Sequence, residues 1–378
     1  ELPVMTKSNL MVCFNEAVTD KRLKIEDLHP FIKDDRNPRN LYLGEYITTG
    51  SSAGSDIASY VPYTLAEWRY LTTEAASSLL PDTFHNEKPI RSAFYFAREG
   101  HWVSSINASL ASRQYHDVLY LGIDQPVEEI WARLNTFQPK RLTGYGSSIT
   151  WIVDWVLSGK LEIAPETVVI SGDGLAPFYR DKIQGLWGAR IYDLYATVEA
   201  IFIALRGPGE SHFKVFDELV VLEVVDDHFH SVKPGERGRV LVTNLAQKTL
   251  PLIRFDLYDY ATLGKSNFGA ETLTSLDGKS FENLPIRGND GDIKQIPAFE
   301  LAKIQVPGLR RVQFHSHNPE HFEVWYISEG VLDQEIESAV RSFIRSRDGA
   351  VNHIGVKRVD YLPSGLGTKF YNVMVPDK

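Results

Sequence analysis

The chain has 378 residues, 43% hydrophobic and 24% charged, with a formal net charge of -9. That length holds two domains or three with an ample core, and the acidic balance without a Lys/Arg block gives no electrostatic footprint for nucleic acid, so no nucleic-acid partner is expected. A lone Cys13 rules out an intramolecular disulfide and is expected as a buried, inert thiol in a reducing, cytoplasmic setting. No apolar run approaches the ~18 residues of a membrane span, and no signal peptide is visible.

In chain order, the alternating run Leu41–Ile47 predicts a strand. It leads into Thr48-Thr49-Gly50-Ser51-Ser52-Ala53-Gly54-Ser55, a run of hydroxyls and small residues. Two glycines let the backbone turn and approach a ligand closely, while hydroxyls and exposed amides suit phosphate oxygens. Composition alone favours a plain connecting loop. The run is not a Walker loop, since Ser55 stands where that motif has Lys, and Gly172-Asp173-Gly174 fails the dinucleotide fingerprint at Pro177. A helix is expected to begin in Tyr60–Thr64, where Thr64 and Glu67 form a capping box for a helix through Leu80.

Beyond it, strands are predicted at Arg91–Arg98, His116–Ile123, Thr167–Ser171 and Ala189–Tyr195. Helices alternate with them: one from an Asp124 cap with Pro126 at its first position through Thr136, with Ile130, Trp131 and Leu134 on one side. Another is capped by Ser147 or Ser148 and runs to Leu157, with Trp151, Ile152 and Trp155 as a core stripe, and a third covers Pro177–Leu186. Such alternation implies βαβ units and a mainly parallel sheet. From Phe213 the strands Phe216–Val225, Gly238–Asn244 and Leu252–Leu263 follow with few helices between, which predicts an antiparallel β subdomain. After a hinge candidate at Arg287–Gly291 come strands at Arg311–His315 and Phe322–Ile327, a helix over Val331–Arg345 and a strand near Val356–Leu362. The fold class is therefore α/β: a large N-terminal domain (1–286) with mainly parallel sheets plus an antiparallel subdomain, and a small mobile α+β C-terminal domain (287–378).

Several other residues attract bland readings. His315, His317 and His321 lack the spacing of a zinc site, His228 and His230 are expected to face solvent, and Arg98 and His101 read as a surface loop.

The Thr48–Ser55 loop resembles the phosphate-clamping signature of adenylate-forming enzymes, Ser/Thr-rich around Gly with a Lys close behind. The context resembles the phenylacetate–coenzyme A ligase branch, and Glu1–Leu10 resembles the segment just ahead of that loop. Ile191–Glu199 is similar to the family's "Y-D-x-Y-G-x-T-E", with Ala196 for Gly and Val198 for the Thr whose hydroxyl contacts the α-phosphate. Val169–Leu175 resembles the turn bordering adenine, and Gly235–Thr243 and Pro251–Asp259 resemble "G-E-x-G-E-L-V-x-T" and "P-L-I-R-Y-R-T-R-D". Ile286–Asp292 resembles the "G-R-x-D-D" hinge, and Pro363–Lys369 the tail loop that presents a catalytic Lys.

The resemblance implies a ligase that uses ATP and Mg²⁺ to convert a carboxylic acid to acyl-AMP, releasing pyrophosphate. The acyl group then passes to coenzyme A, a carrier-protein thiol or an amine. It implies Lys369 and Glu199 as catalytic residues, Glu199 also holding Mg²⁺. Nucleotide contacts would come from Thr48, Thr49, Gly50, Ser51, Ser52, Ala53, Gly54, Ser171, Gly172, Asp173, Tyr192, Asp193, Tyr195, Ala196, Thr197, Asp259 (on the ribose) and Arg287. Tyr145, Gly146 and Ile149 would line the acid site, which points to an aromatic or apolar acid. A homodimer is an expected assembly state. A nucleotide-binding protein that kept the fold without the catalysis is the alternative, favoured by Ser55 and Val198.

Overall fold

The structure, a computed structural model, describes residues 2–51, 58–79, 88–97, 100–265, 271–279, 283–301, 304, 306–350, 353–360, 362 and 372–374. Three short helices come first: α1 (Lys7–Val12), α2 (Phe14–Ala17) and α3 (Ile25–Asp34). A two-stranded antiparallel hairpin follows, β1 (Tyr46–Gly50) against β2 (Tyr60–Thr64), and then α4 (Leu65–Leu79). The capping box is formed: the Thr64 N–H donates to Glu67 Oε2 at 2.7 Å, and the Glu67 N–H to Thr64 Oγ1 at 3.2 Å.

Alternating elements come next: β3 (Ile90–Phe96), α5 (Val103–Leu110), β4 (His116–Gly122), α6 (Val127–Phe137), β5 (Arg141–Gly144), α7 (Gly146–Leu157), β6 (Thr167–Ser171), α8 (Pro177–Trp187) and β7 (Arg190–Tyr195). The strand β6 shows why: Thr167–Ile170 are all buried, as a β-branched run in the middle of a parallel sheet requires. The helix α8 has Pro177 in its first turn and stops at Gly188, whose φ of +59° is a left-handed helix end. Antiparallel strands continue as β8 (Ala204–Arg206), β9 (Phe213–Val215), β10 (Val220–Val225), β11 (Arg237–Asn244), β12 (Phe255–Leu263) and β13 (Thr272–Lys279). They extend the parallel strands into one 11-stranded sheet, ordered β10-β11-β12-β13-β9-β8-β7-β6-β5-β3-β4. The strands β3–β7 pair in parallel, and β7–β8 begins the antiparallel part.

Two apolar cores serve this region. One packs Leu10, Phe14, Ile47, Val61, Tyr63 and Trp68 with Val240 and Phe255; the other joins Ile149, Ile152 and Val153 to Val168, Ile170 and Ile183.

By packing, residues Glu1–Leu257 and Ala261–Leu276 form one unit, and Tyr258–Tyr260 with Asp277–Lys378 the other. The long segment of the second unit thus begins at Asp277, inside β13. The second unit holds β14 (Asn283–Gly288), β15 (Ile293–Pro297), α9 (Ala298–Leu301), β16 (Leu309–Asn318), β17 (His321–Ser328), α10 (Asp333–Arg345), β18 (Gly349–Ala350), β19 (His353–Arg358) and β20 (Val373–Met374). Its sheets run β15-β14-β18 and β19-β17-β16-β20. Ile336, Val340 and Ile344 of α10, spaced by one helical turn, fill its core with Phe314, Phe322 and Val324.

Several sequence expectations are corrected. Only Tyr46 and Ile47 of the expected strand Leu41–Ile47 are in β1: before them Leu43 (φ +54°) and Gly44 (φ +70°) make a tight turn, with the Tyr42 and Tyr46 main chains bonded to each other at 2.9 and 3.0 Å. Tyr60–Thr64 is a strand rather than a helix start, because its β-favouring Tyr, Val and Thr pair with β1 and Pro62 lies on an edge strand. The helix α6 starts after Pro126, since the Gln125 side chain accepts the Gly122 N–H at 2.7 Å and prolongs the turn. The helix α7 is entered from Tyr145, with Ser147 and Ser148 inside it. Val356–Leu362 is replaced by β19, which pairs with β17 from His353 onward.

Candidate active site

The hydroxyl run is split between a strand and a loop. Thr48, Thr49 and Gly50 lie in β1 and are buried. Thr49 Oγ1 donates to the Val61 carbonyl at 3.1 Å, closing the hairpin. Thr48 Oγ1 lies 3.1 Å from His101 Nδ1, which is also 3.1 Å from the Thr48 carbonyl. Both threonine hydroxyls are thus committed within the fold. His101, far from lying on a surface loop, is 3% exposed; its carbonyl accepts the Gly50 N–H at 3.0 Å. Burial holds this imidazole below the usual histidine range, against the opposing pull of the Thr48 carbonyl and the Asp35 carboxylate.

Ser51 and Ser59 close the mouth of the loop. The Ser51 N–H donates to the Ser59 carbonyl at 3.0 Å, and the Ser59 N–H returns to Ser51 Oγ at 2.8 Å. Lys7 Nζ donates to the same Ser51 Oγ at 3.0 Å. Ser52, Ala53, Gly54 and Ser55 lie outside the described residues, as do Arg98 and Lys369.

Ser59 Oγ donates to Glu199 Oε1 at 2.8 Å, a buried contact spanning 140 residues of sequence. The Glu199 carbonyl accepts Asn244 Nδ2 at 3.1 Å, and the Val198 carbonyl accepts the Tyr63 hydroxyl at 2.7 Å. Burial and the Glu199 charge push the Tyr63 phenol well above its ordinary range, so it stays a donor. Thr197 Oγ1 accepts the Ala200 N–H at 3.2 Å and shapes the turn. Ile201 follows with φ +61°, a left-handed conformation rare for a β-branched residue and strained by about 1–3 kcal/mol.

Upstream, Tyr192, Asp193 and Tyr195 are buried in β7 and lead to Ala196. The Asp193 carboxylate is held by Arg180 of α8 and by Arg206 Nε of β8 at 3.0 Å, which ties both elements to β7. Ser171 ends β6, Gly172 turns at φ +85°, and Asp173 Oδ1 accepts the Ser147 N–H of α7 at 3.0 Å. A Cβ on Gly146 would meet the Gly174 carbonyl oxygen at 2.3 Å, so only glycine allows this approach. Tyr145, at the head of α7, meets Phe96 edge-on with ring centroids 4.8 Å apart. Burial pushes its phenol up to about 12. Ile149 is fully buried in the core.

In the second unit, Asp259 of β12 is buried. Arg287 lies in β14 and pairs with Glu320 at 3.0 Å and with the Gly291 carbonyl at 2.8 Å. His315 stacks on Trp325, centroids 4.1 Å apart. Among the described residues no group of three or more His, Cys, Asp or Glu side chains could hold a metal ion. A magnesium ion needs no such cage: one carboxylate plus nucleotide phosphates and water suffices, and the buried Glu199, which accepts the Ser59 hydroxyl, fits that pattern.

Ser59, His101, Arg180 and Arg206 carry no motif signal, and Lys7 lies in the Glu1–Leu10 segment without a role assigned to it; their tertiary contacts reveal them. Cys13 is half-buried, its thiol 3.9 Å from the Leu10 carbonyl. No helix among the described residues is long and apolar enough to cross a membrane.

The chain has the fold of the adenylate-forming ligases. It aligns over its whole length with 80% of a 2-hydroxyisobutyryl-CoA ligase solved in the postadenylation state with 2-HIB-AMP (TM-score 0.71, 16% identity). A benzoate CoA ligase from Burkholderia xenovorans LB400 aligns over 83% of this chain and 65% of its own (TM-score 0.60, 15% identity). No protein-family profile matches the sequence. Among curated proteins, Protein CapK of Staphylococcus aureus is 28% identical over 134 residues, 35% of this chain and 28% of CapK.

Proposed function

We propose that this chain activates a carboxylic acid with ATP, forming acyl-AMP and pyrophosphate, and passes the acyl group to coenzyme A or another thiol or amine. The observation that carries the reading is the Ser59–Glu199 hydrogen bond. It brings the hydroxyl-rich loop and the carboxylate turn, far apart in sequence, to one place on the fold of acyl-adenylate chemistry.

In the proposed reaction the acid's carboxylate oxygen attacks the α-phosphorus, and the bond from that phosphorus to the bridging oxygen breaks as pyrophosphate leaves. Such a displacement needs positioning and charge compensation more than covalent help. Ser51 and the loop amides would hold the β- and γ-phosphates, and Gly172 would let the backbone approach the adenine. Glu199 would hold Mg²⁺, which supplies charge neutralisation on the phosphates. Asp259 would accept the ribose hydroxyls, and Lys369 would offset charge building on the reacting oxygens. Tyr145 and Phe96 favour an aromatic or apolar acid, because acyl sites are mostly apolar with few polar anchors. Val198, which has no hydroxyl for the α-phosphate, and Ser55 favour the second reading, a nucleotide-binding protein without catalysis.

A pyrophosphate-release assay over a panel of carboxylic acids separates the two. Turnover with aromatic or apolar acids supports the ligase. Preference for short, highly charged acids refutes the acid-site assignment, and ATP binding without release under any acid supports the second reading.

A further inference from the structure

The strand β1 and the loop mouth are held from the N-terminal side by the segment Met5–Lys7, to which the sequence assigns no role at the site. The Met5 N–H donates to the Arg254 carbonyl at 3.1 Å, and the Asp256 N–H donates to the Met5 carbonyl at 2.9 Å. This pairing anchors the chain beside β12. Thr6 Oγ1 then accepts the Asn9 N–H at 3.2 Å and caps α1. Lys7, the first residue of that helix, is thereby fixed with its ammonium 3.0 Å from Ser51 Oγ.

A serine hydroxyl has two acceptor lone pairs and one proton. Ser51 Oγ accepts from Lys7 Nζ and from the Ser59 N–H, so both lone pairs are engaged and its proton must point elsewhere. Among the described residues no acceptor takes that proton. The contacts run with one polarity: a cation and an amide donate to Ser51, and Ser59 donates to Glu199. The loop thus presents a donor, polarised by an adjacent positive charge, at a place where its own run Thr48–Ser55 contains no basic residue. Charge-assisted donors of this kind suit phosphate oxygens.

We infer that Lys7 is a polyphosphate-binding residue, supplying the phosphate loop from α1 with the cation that the loop sequence lacks. The inference rests on the nucleotide reading above. It requires that Lys7 act on the β- and γ-phosphates and leave the adenosine and α-phosphate contacts untouched.

The test is calorimetric binding of ATP and of AMP to the full chain, its Lys7→Gln variant and its Lys7→Arg variant, with thermal melts as a check of folding. Lys7→Gln should bind ATP at least tenfold more weakly while AMP affinity is unchanged, and Lys7→Arg should retain most ATP affinity. Lys7→Met, which keeps the aliphatic stem, replaces Lys7→Gln if the latter does not fold. Equal loss for ATP and AMP would mark a merely structural lysine, and no loss for either would also overturn the inference. A wild-type chain that binds neither nucleotide would overturn the nucleotide reading itself, and that is seen before any variant is made.

Discussion

Replacing Ser59 with alanine removes one oxygen and leaves the loop closure intact, because Ser59 meets Ser51 through main-chain atoms. What is lost is the 2.8 Å donation to Glu199 Oε1. Glu199 is only 6% exposed, so water cannot readily take the place of the missing hydroxyl. A hydrogen bond to a charged group contributes about 1.5–3 kcal/mol, equivalent to roughly ten- to a hundredfold in an equilibrium or a rate. Ser59→Ala should therefore lower the free energy of urea unfolding by about 1.5–3 kcal/mol. Acid-dependent pyrophosphate release should fall about ten- to a hundredfold in kcat/KM, since Glu199 is no longer held toward the loop. Loss of less than about 0.5 kcal/mol with unchanged kcat/KM would refute the coupling of loop and carboxylate.

The remaining predictions concern the nucleotide, the tail and pH. Asp259→Ala should weaken ATP binding at least tenfold with the fold intact, since each charge-assisted bond to the ribose contributes about 1.5–3 kcal/mol; calorimetry checks it. Lys369→Ala should reduce pyrophosphate release about 10²–10³-fold, yet a supplied acyl-adenylate should still be consumed once the acceptor is present; equal loss of both half-reactions would remove Lys369 from the adenylation step. His116 is held down to about 4, from 6.5, by burial first and then by Arg141 and Arg113. Its neutral form is favoured by the fold, so its contribution is complete above pH 6.5 and is lost as pH falls from 6.5 towards 4. That loss should be about 2 kcal/mol after allowance for its partial exposure, and His116→Gln should flatten the stability profile in this window.

The elements readable from sequence were those set by local chemistry. The Thr64–Glu67 box lies within four consecutive residues, and Thr167–Ser171 is a β-branched run that a buried parallel strand demands. The β1–β2 hairpin was hidden because its pairing partners flank the loop and its first strand begins only after the Leu43–Gly44 turn. His101 read as a loop residue because its burial depends on Thr48 and on Phe31 of α3, whose ring lies 5.2 Å away. The same holds for Ser59: its neighbours in sequence say nothing of Glu199, which reaches it only through the sheet. The contacts of the Thr48 and Thr49 hydroxyls with His101 and the Val61 carbonyl likewise come from strand pairing and distant residues, which the local run does not show. Two arginines from α8 and β8, invisible to a local motif, hold the Asp193 carboxylate.

The central claim, formation of an enzyme-bound acyl-adenylate, is tested most directly by exchange of radiolabelled pyrophosphate into ATP. With Mg²⁺ and an aromatic or apolar acid present, label should enter ATP at a rate that depends on the acid and falls in Ser59→Ala. A chain that binds ATP yet supports no acid-dependent exchange with any acid of the panel would contradict the account.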